Sequence, residues 1–275
     1  MTSKRILITG ANSYIGTSFE KYINNYNLQH FDSEPYVINT LDMQSANWRE
    51  FNFSNYDIVL HLAGIVHQKE TEANKELYFN INRDLAFETA KKAKESGIRY
   101  FIYFSTMSVY GLLTGVIGKN THENPQNAYG KSKLEGEKLI KSIEDESFNV
   151  AIVRPPMIYG EGCKGNYRIL CKIVDFCPIF PNFPNKRSLI SIENLCEFLI
   201  NLIKSEKSGL FFPQNPEYVS TTQLVKDIAL LKRKKIYFTK FFNPIIRLLQ
   251  NKNNSIGIQC QKAFGDLIYE KSNLG

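Results

Sequence analysis

Tyr129 and Lys133 stand four residues apart in Ala128-Tyr-Gly-Lys-Ser-Lys133. On a helix that spacing sets two side chains on one face, with Cβ atoms about 5–6 Å apart. A free tyrosine titrates near pH 10, at about neutral phenol strength, but a neighbouring ammonium favours its ionised form, and so would an oxidised nicotinamide. The expectation is a Tyr129 phenol acidic enough to serve as a general base at neutral pH. Thr106, in Phe104-Ser-Thr-Met-Ser-Val-Tyr-Gly111, adds a hydroxyl at the predicted end of a strand. It can hydrogen-bond the same substrate oxygen. Such a group removes the proton of a carbinol while the carbon's hydride leaves for an acceptor.

A hydride acceptor needs a cradle, and the chain opens on one: Thr9-Gly-Ala-Asn-Ser-Tyr-Ile-Gly16, between a predicted strand and a predicted helix. Without Cβ atoms, Gly10 and Gly16 let a backbone approach a pyrophosphate, whose charge suits a helix N-terminus. Ser13 stands where a middle glycine is usual; Asn12 and Ser13 can donate side-chain hydrogen bonds to phosphate, and Tyr14 and Ile15 open the helix. A bare strand–turn–helix is the plain alternative. Asp42 ends the second predicted strand, placed to accept from the ribose hydroxyls, and no arginine follows to receive a 2′-phosphate. That favours NAD over NADP; a surface aspartate in a turn is the other reading. Leu62, Ala63 and Gly64 end a buried strand with small residues, where a cofactor could lie against the backbone or the chain simply pack tightly.

The elements that must position these groups alternate. Strands are predicted at Arg5–Thr9, Tyr36–Leu41, Asp57–Leu62, Tyr100–Ser105 and Asn149–Arg154. Helices are predicted at Tyr14–Asn24, Leu77–Ser96 (stopped by Gly97), from Tyr129 to about Ile143, and at Ile192–Ile203. Such alternation argues for a doubly wound parallel sheet of Rossmann type in an α/β chain. After Arg154-Pro-Pro156 the texture changes to a loop-rich stretch with Pro178, Pro181 and Pro184, and from Gly209 onward the elements read as short. The division expected is a dinucleotide-binding domain over 1–156, with elements from about 186–205 returning to it, and a smaller, interleaved substrate domain over 157–275.

Of the 275 residues 43% are hydrophobic and 22% charged, an ordinary balance for a chain with a full core. No apolar run nears the roughly 20 residues of a membrane-spanning helix, and the N-terminal apolar stretch is too short for a secretory signal. A cytoplasmic location is expected. Cys163, Cys171, Cys177, Cys196 and Cys260 form no Cys-x-x-Cys pair, and His30, His61, His67 and His122 make no ligand spacing, so free thiols and no metal are expected. The net charge of +7 has its sharpest cluster at Lys232-Arg-Lys-Lys235. It is read as a solvated face; a diphosphate substrate or an anionic membrane surface would suit it too. No nucleic-acid-reading motif is present. The apolar Phe241-Phe-Asn-Pro-Ile-Ile-Arg-Leu-Leu249 beside it is read as core packing of the small domain rather than a membrane contact, because Pro244 interrupts any long amphipathic face. No stable membrane insertion is expected.

Taken together, the motifs already quoted, with His61-Leu-Ala-Gly64, Phe79-Asn-Ile-Asn82 and Arg154-Pro-Pro-Met-Ile-Tyr-Gly160, resemble the extended short-chain dehydrogenase/reductase family, specifically its nucleotide-sugar epimerases, dehydratases and ketoreductases. The resemblance implies Tyr129 as base, Lys133 as its electrostatic partner and a contact of the cofactor, and Thr106 as the hydroxyl that positions the sugar. It implies Gly10 and Gly16 at the pyrophosphate, Asn80 on the cofactor side, Asn166 at the nucleotide diphosphate and Arg187 as its clamp. A guanidinium suits that role because it grips phosphate with a bidentate fork. The family's dehydratases carry Asp-Glu after the threonine, where this chain has Met107 and Ser108, so elimination of water is not expected. What is expected is an NAD-dependent UDP-sugar 4-epimerase, of the kind that supplies surface polysaccharide synthesis, with a homodimer implied by the resemblance. A UDP-4-keto-6-deoxy-sugar 4-ketoreductase with the same catalytic residues is the alternative, and an idle nucleotide-binding regulator a more distant one.

Overall fold

The computed structural model describes residues 3–66, 68 and 70–271. Six strands form one parallel sheet: β1 (Lys4–Thr9), β2 (Tyr36–Leu41), β3 (Ile58–His61), β4 (Tyr100–Phe104), β5 (Asn149–Val153) and β6 (Gly209–Phe211). Their order is β6-β5-β4-β3-β1-β2, the doubly wound α/β arrangement expected. The helices in chain order are α1 (Tyr14–Gln29), α2 (Lys75–Phe79), α3 (Ala86–Glu95), α4 (Ala128–Ser142) and α5 (Asn166–Phe176). They continue with α6 (Ile192–Ser205), α7 (Thr221–Leu231), α8 (Asn243–Gln250) and α9 (Ser255–Phe264).

Contacts divide the chain into two compact units. The first comprises Met1–Gly111, Glu123–Pro155 and Ile192–Pro213; the second comprises Leu112–His122, Pro156–Ser191 and Gln214–Gly275. In the first, β1 and β3 to β5 are fully buried over their central residues, as a strand covered on both faces must be. Side chains alternate across the sheet, so Leu7, Val59, Phe101 and Ile152 point together to one side. There they meet Ala86, Ala90 and Ala93 of α3 and Ile140 of α4. The alanine stripe lets α3 lie close to the sheet. Gly136 does the same for α4: a Cβ there would stand 2.6 Å from the Asn82 carbonyl oxygen and 2.7 Å from the Tyr103 hydroxyl.

Two expectations change. The helix predicted over Leu77–Ser96 is broken by a π-helical turn, Asn80–Leu85, between α2 and α3. And α8 joins the core of the small unit along one edge only, through Ile246 and Leu249. Ile246 alone is fully buried, packing with Phe183 and Cys260, while Phe241, Ile245 and Leu248 are exposed. Pro244 sits in the first turn of α8, where its missing N–H costs nothing, and so it starts the helix instead of interrupting it.

The second unit has its own core, in which Tyr167 and Val174 of α5 meet Leu224, Val225 and Ile228 of α7 with Phe180 and Leu189. Three short parallel strand pairs accompany it, Gly115–Ile117 with Leu267–Tyr269, Met157–Tyr159 with Leu189–Ser191, and Ile179–Pro181 with Tyr237–Thr239. No described helix is long and apolar enough to cross a membrane.

Candidate active site

In an open parallel sheet, ligands gather at the C-terminal strand ends where the strand order reverses. Here that point lies between β1 and β3. Gly10 follows β1 with φ +93°, and a Cβ on it would come within 2.9 Å of the Ala63 backbone nitrogen. Only glycine fits there. Asn12 takes the left-handed region as well, at φ 62°. Ser13, by contrast, is extended (φ −68°, ψ 146°), so this position has no need of glycine. Its hydroxyl instead caps α1, accepting the Gly16 N–H at 3.1 Å. Gly16 must stay small, because a Cβ would lie 2.7 Å from that oxygen. Tyr14 and Ile15 occupy the first helical turn, half-buried. The departure from the glycine pattern thus secures the helix start.

Asp42 is exposed, one residue beyond β2, and its carboxylate accepts the Gln44 N–H at 2.9 Å. Leu62, Ala63 and Gly64 follow β3, with Leu62 N–H bonded to the Thr9 carbonyl at 3.1 Å. Gly64 faces the chemistry directly. A Cβ there would stand 2.8 Å from Asn82 Oδ1 and 3.2 Å from Lys133 Nζ.

Of the two asparagines in the π-turn it is Asn82, not the Asn80 expected, that faces the buried groups. Asn80 is exposed at the start of the π-turn. Asn82 is fully buried; its amide accepts from Ile65 N–H at 2.9 Å and donates to Ser132 Oγ at 3.2 Å. Its carbonyl receives the Tyr103 hydroxyl at 2.7 Å. Helical phase could have found it, since residues 82, 86 and 90 are each four apart. The π-turn matters too, because it shifts the ladder at the place where a side chain must face inward.

Thr106 lies just past β4 and caps the short turn Met107–Tyr110, its Oγ1 accepting the Ser108 N–H at 3.1 Å. Its hydroxyl donates to Ser108 Oγ at 3.2 Å and stands near enough to the Tyr129 phenol to favour the tyrosinate. Asn127 caps α4 by accepting the Gly130 N–H at 2.8 Å, which fixes the turn that carries Tyr129. Lys133, one turn on, is buried beneath: Nζ donates to the Phe104 carbonyl at 2.7 Å and lies 4.8 Å from the Tyr103 ring centre.

The expected lowering of the Tyr129 pKa is reversed. Burial raises it above the usual tyrosine value, and the nearby Thr106 hydroxyl offsets only part of this. The ammonium of Lys133 is engaged elsewhere and is itself destabilised by burial, its pKa drawn down to about 8 despite the attraction of Glu137. Glu137, a further turn along α4, is locked in a buried cluster. Arg154 grips it through Nε at 3.0 Å and Nη2 at 2.5 Å, and reaches Tyr110 Oη at 2.7 Å and Glu123 at 2.9 Å. That cluster was not foreseen, because a buried ion pair has no spacing signature across 17 residues.

At the ends of β3 and β4, His61 Nε2 and Ser105 Oγ are buried without a hydrogen-bond partner among the described residues. His61 Nδ1 meets Thr9 Oγ1 at 2.8 Å, and burial, reinforced by Lys133, lowers its pKa to about 3. Glycines that admit a backbone-close ligand, the N-terminal end of α1 and these orphaned polar atoms all fit a bound dinucleotide. In the second unit, Asn166 opens α5 behind Gly165 (φ 73°) and is exposed. Arg187 is half-buried, donates through Nη1 to the Gly265 carbonyl at 3.0 Å, and has no carboxylate within ion-pair distance among the described residues. His67 lies outside the described residues. No group of three or more described His, Cys, Asp or Glu is placed to hold a metal.

Comparison with known proteins places the chain among relatives. The profile of the NAD dependent epimerase/dehydratase family matches residues 6–209. A UDP-glucose 4-epimerase of Vibrio cholerae is 31% identical over 98% of this chain and 84% of its own length. Among solved structures, a dTDP-4-dehydrorhamnose reductase of Clostridium acetobutylicum superposes with a TM-score of 0.70 at 21% identity, covering 94% of this chain and 98% of that one. UDP-glucuronic acid 4-epimerase of Bacillus cereus, in complex with NAD, gives 0.67 at 17% identity, covering 98% and 90%. At those identities the two structures attest the fold alone.

Proposed function

The chain belongs to the NAD dependent epimerase/dehydratase family, and from that premise we propose that it is a UDP-sugar 4-epimerase working through a transient 4-keto sugar. The observation that carries this reading is the placing of Thr106 beside the Tyr129 phenol, with a buried Lys133 and the bare backbone of Gly64. Thr106 orients the C4 hydroxyl of the sugar, and Tyr129 Oη takes its proton. Bound NAD supplies the acceptor and donor of the C4 hydride, with a positive ring that favours the tyrosinate. Lys133 holds its ammonium against the Phe104 carbonyl, ready to turn toward the ribose and the phenol. Gly10, Asn12, Ser13, Tyr14, Ile15 and Gly16 hold the pyrophosphate, Leu62, Ala63 and Gly64 leave room for the cofactor, and Asp42 accepts from the adenosine ribose. Asn166 and Arg187 bind the UDP diphosphate. Met107 and Ser108 offer no carboxyl for elimination of water, so the sugar leaves with its oxygens intact.

Incubation with UDP-glucose and with UDP-N-acetylglucosamine, each with and without NADH, tests the proposal by NMR of the anomeric protons and by nicotinamide absorbance. The C4 epimer should form with no net change in absorbance. No epimer from either sugar, with one NADH oxidised per product when a UDP-4-keto-6-deoxy-sugar is supplied in their place, would instead assign a 4-ketoreductase.

A further inference from the structure

The positive charge of this protein resides in one stretch. Between Ile228 and Gly265 there are eight Lys and Arg, from Lys232 to Lys262, and no Asp or Glu. The whole chain holds 34 basic and 27 acidic residues, so everything outside this stretch is one charge negative. All eight are exposed, and only Lys232 has a carboxylate partner (Asp175) among the described residues.

Large apolar side chains are exposed in the same stretch. Phe241 (76%), Ile245 (52%) and Leu248 (63%) follow one another at four and three residues, one face of α8 and the turn before it. The opposite face is already satisfied by Ile246 against Phe183 and Cys260, so folding does not require the outer stripe. Nearby in sequence, Lys226, Lys234 and Lys235 line a cavity of about 370 Å³ together with Leu230 and Tyr237, which are 80% and 73% exposed. At this cavity cations and exposed apolar groups are mixed in space.

We propose that this stretch docks the protein peripherally on an anionic lipid bilayer, with the Phe241–Ile245–Leu248 stripe entering the headgroup boundary and the lysines facing lipid phosphates. An anionic bilayer answers both halves of the pattern, acyl chains for the stripe and negative headgroups for the cations. A second copy would set like charges face to face. A nucleic acid would leave the stripe in water. The inference stands apart from the reaction proposed above, since none of its residues belongs to the candidate active site.

Flotation of the full chain with vesicles tests it, using phosphatidylcholine alone and phosphatidylcholine mixed with phosphatidylglycerol. The protein should float with the mixed vesicles only, and added salt should release it. The double variant Ile245→Ser with Leu248→Ser should lower partitioning by about tenfold or more, and Lys234→Gln with Lys235→Gln by roughly fivefold per lysine. Unchanged melting curves establish that these exposed substitutions leave the fold intact. Protein that stays in the soluble fraction with mixed vesicles overturns the proposal. So does retention on heparin without vesicle binding, which assigns the cations to a soluble polyanion. A dimer that the Ile245→Ser, Leu248→Ser variant turns into a monomer, again without vesicle binding, assigns the stripe to a second copy and also overturns it.

Discussion

At the scale of single residues, the proposed chemistry turns on two groups whose ionisation burial has moved. Tyr129→Phe removes the proton acceptor and should lower kcat by about 10²–10⁴-fold, with an unchanged melting curve to exclude misfolding. Lys133 is cationic only below about pH 8 in the free protein, so kcat/KM should fall as pH rises through that value. Lys133→Arg, which stays charged, should move this limb upward; a limb that does not move would detach Lys133 from catalysis. His61 bears on stability. Its pKa drops from 6.5 in the unfolded chain to about 3 in the fold, so between those values the unfolded state binds the extra proton. Stability contributed above pH 6.5 is therefore lost as pH falls, by up to about 1.4 kcal/mol per pH unit. Urea denaturation at stepped pH should show a shallower decline for His61→Gln. None of these shifts was legible in the sequence, which gives neighbours along the chain but not the solvent each loses. Spacing alone suggested a Lys133 that acidifies Tyr129, whereas the ammonium lies against Phe104 and Tyr103.

At the scale of elements, the contact between α4 and the π-turn sets where Tyr129 and Lys133 stand. Gly136→Ala would press a methyl against the Asn82 carbonyl, and such overpacking costs about 1–3 kcal/mol. The expected loss is read as a lower urea midpoint with an unchanged slope. The strands β1 to β5 and the helices α1, α4 and α6 were readable, from β-branched runs and helical spacing, and Gly97 marked the end of α3; β6 and the short elements of the second unit were given no range. The π-turn was not readable, because it arises from the inward pull on Asn82 and from close packing by Gly136, both tertiary. The apolar run of α8 misled for a related reason. Composition reports what a helix could bury, and only packing reports that one stripe of it stays uncovered.

At the scale of the molecule, alternating strands and helices revealed the doubly wound sheet, and elements from about 186–205 were expected to return to it, where 192–213 now falls in the first unit; that 112–122 would join the second was not foreseen. That exchange follows from contacts between distant segments and leaves no mark in local composition. The proposed ligands divide in the same way, the dinucleotide on residues of the first unit and UDP on Asn166 and Arg187 of the second. Each ligand should raise Tm separately, by the equivalent of about 2.7 kcal/mol at roughly a hundredfold excess over Kd. Arg187→Leu should abolish the UDP shift and keep the NAD shift; loss of both would point to a damaged fold. One small feature then governs how the molecule meets its cofactor. With Ser13 holding the start of α1 by its own hydroxyl, the loop has little disorder left to surrender on encounter. Different dinucleotides should accordingly arrive at similar speeds and be told apart by how long they stay.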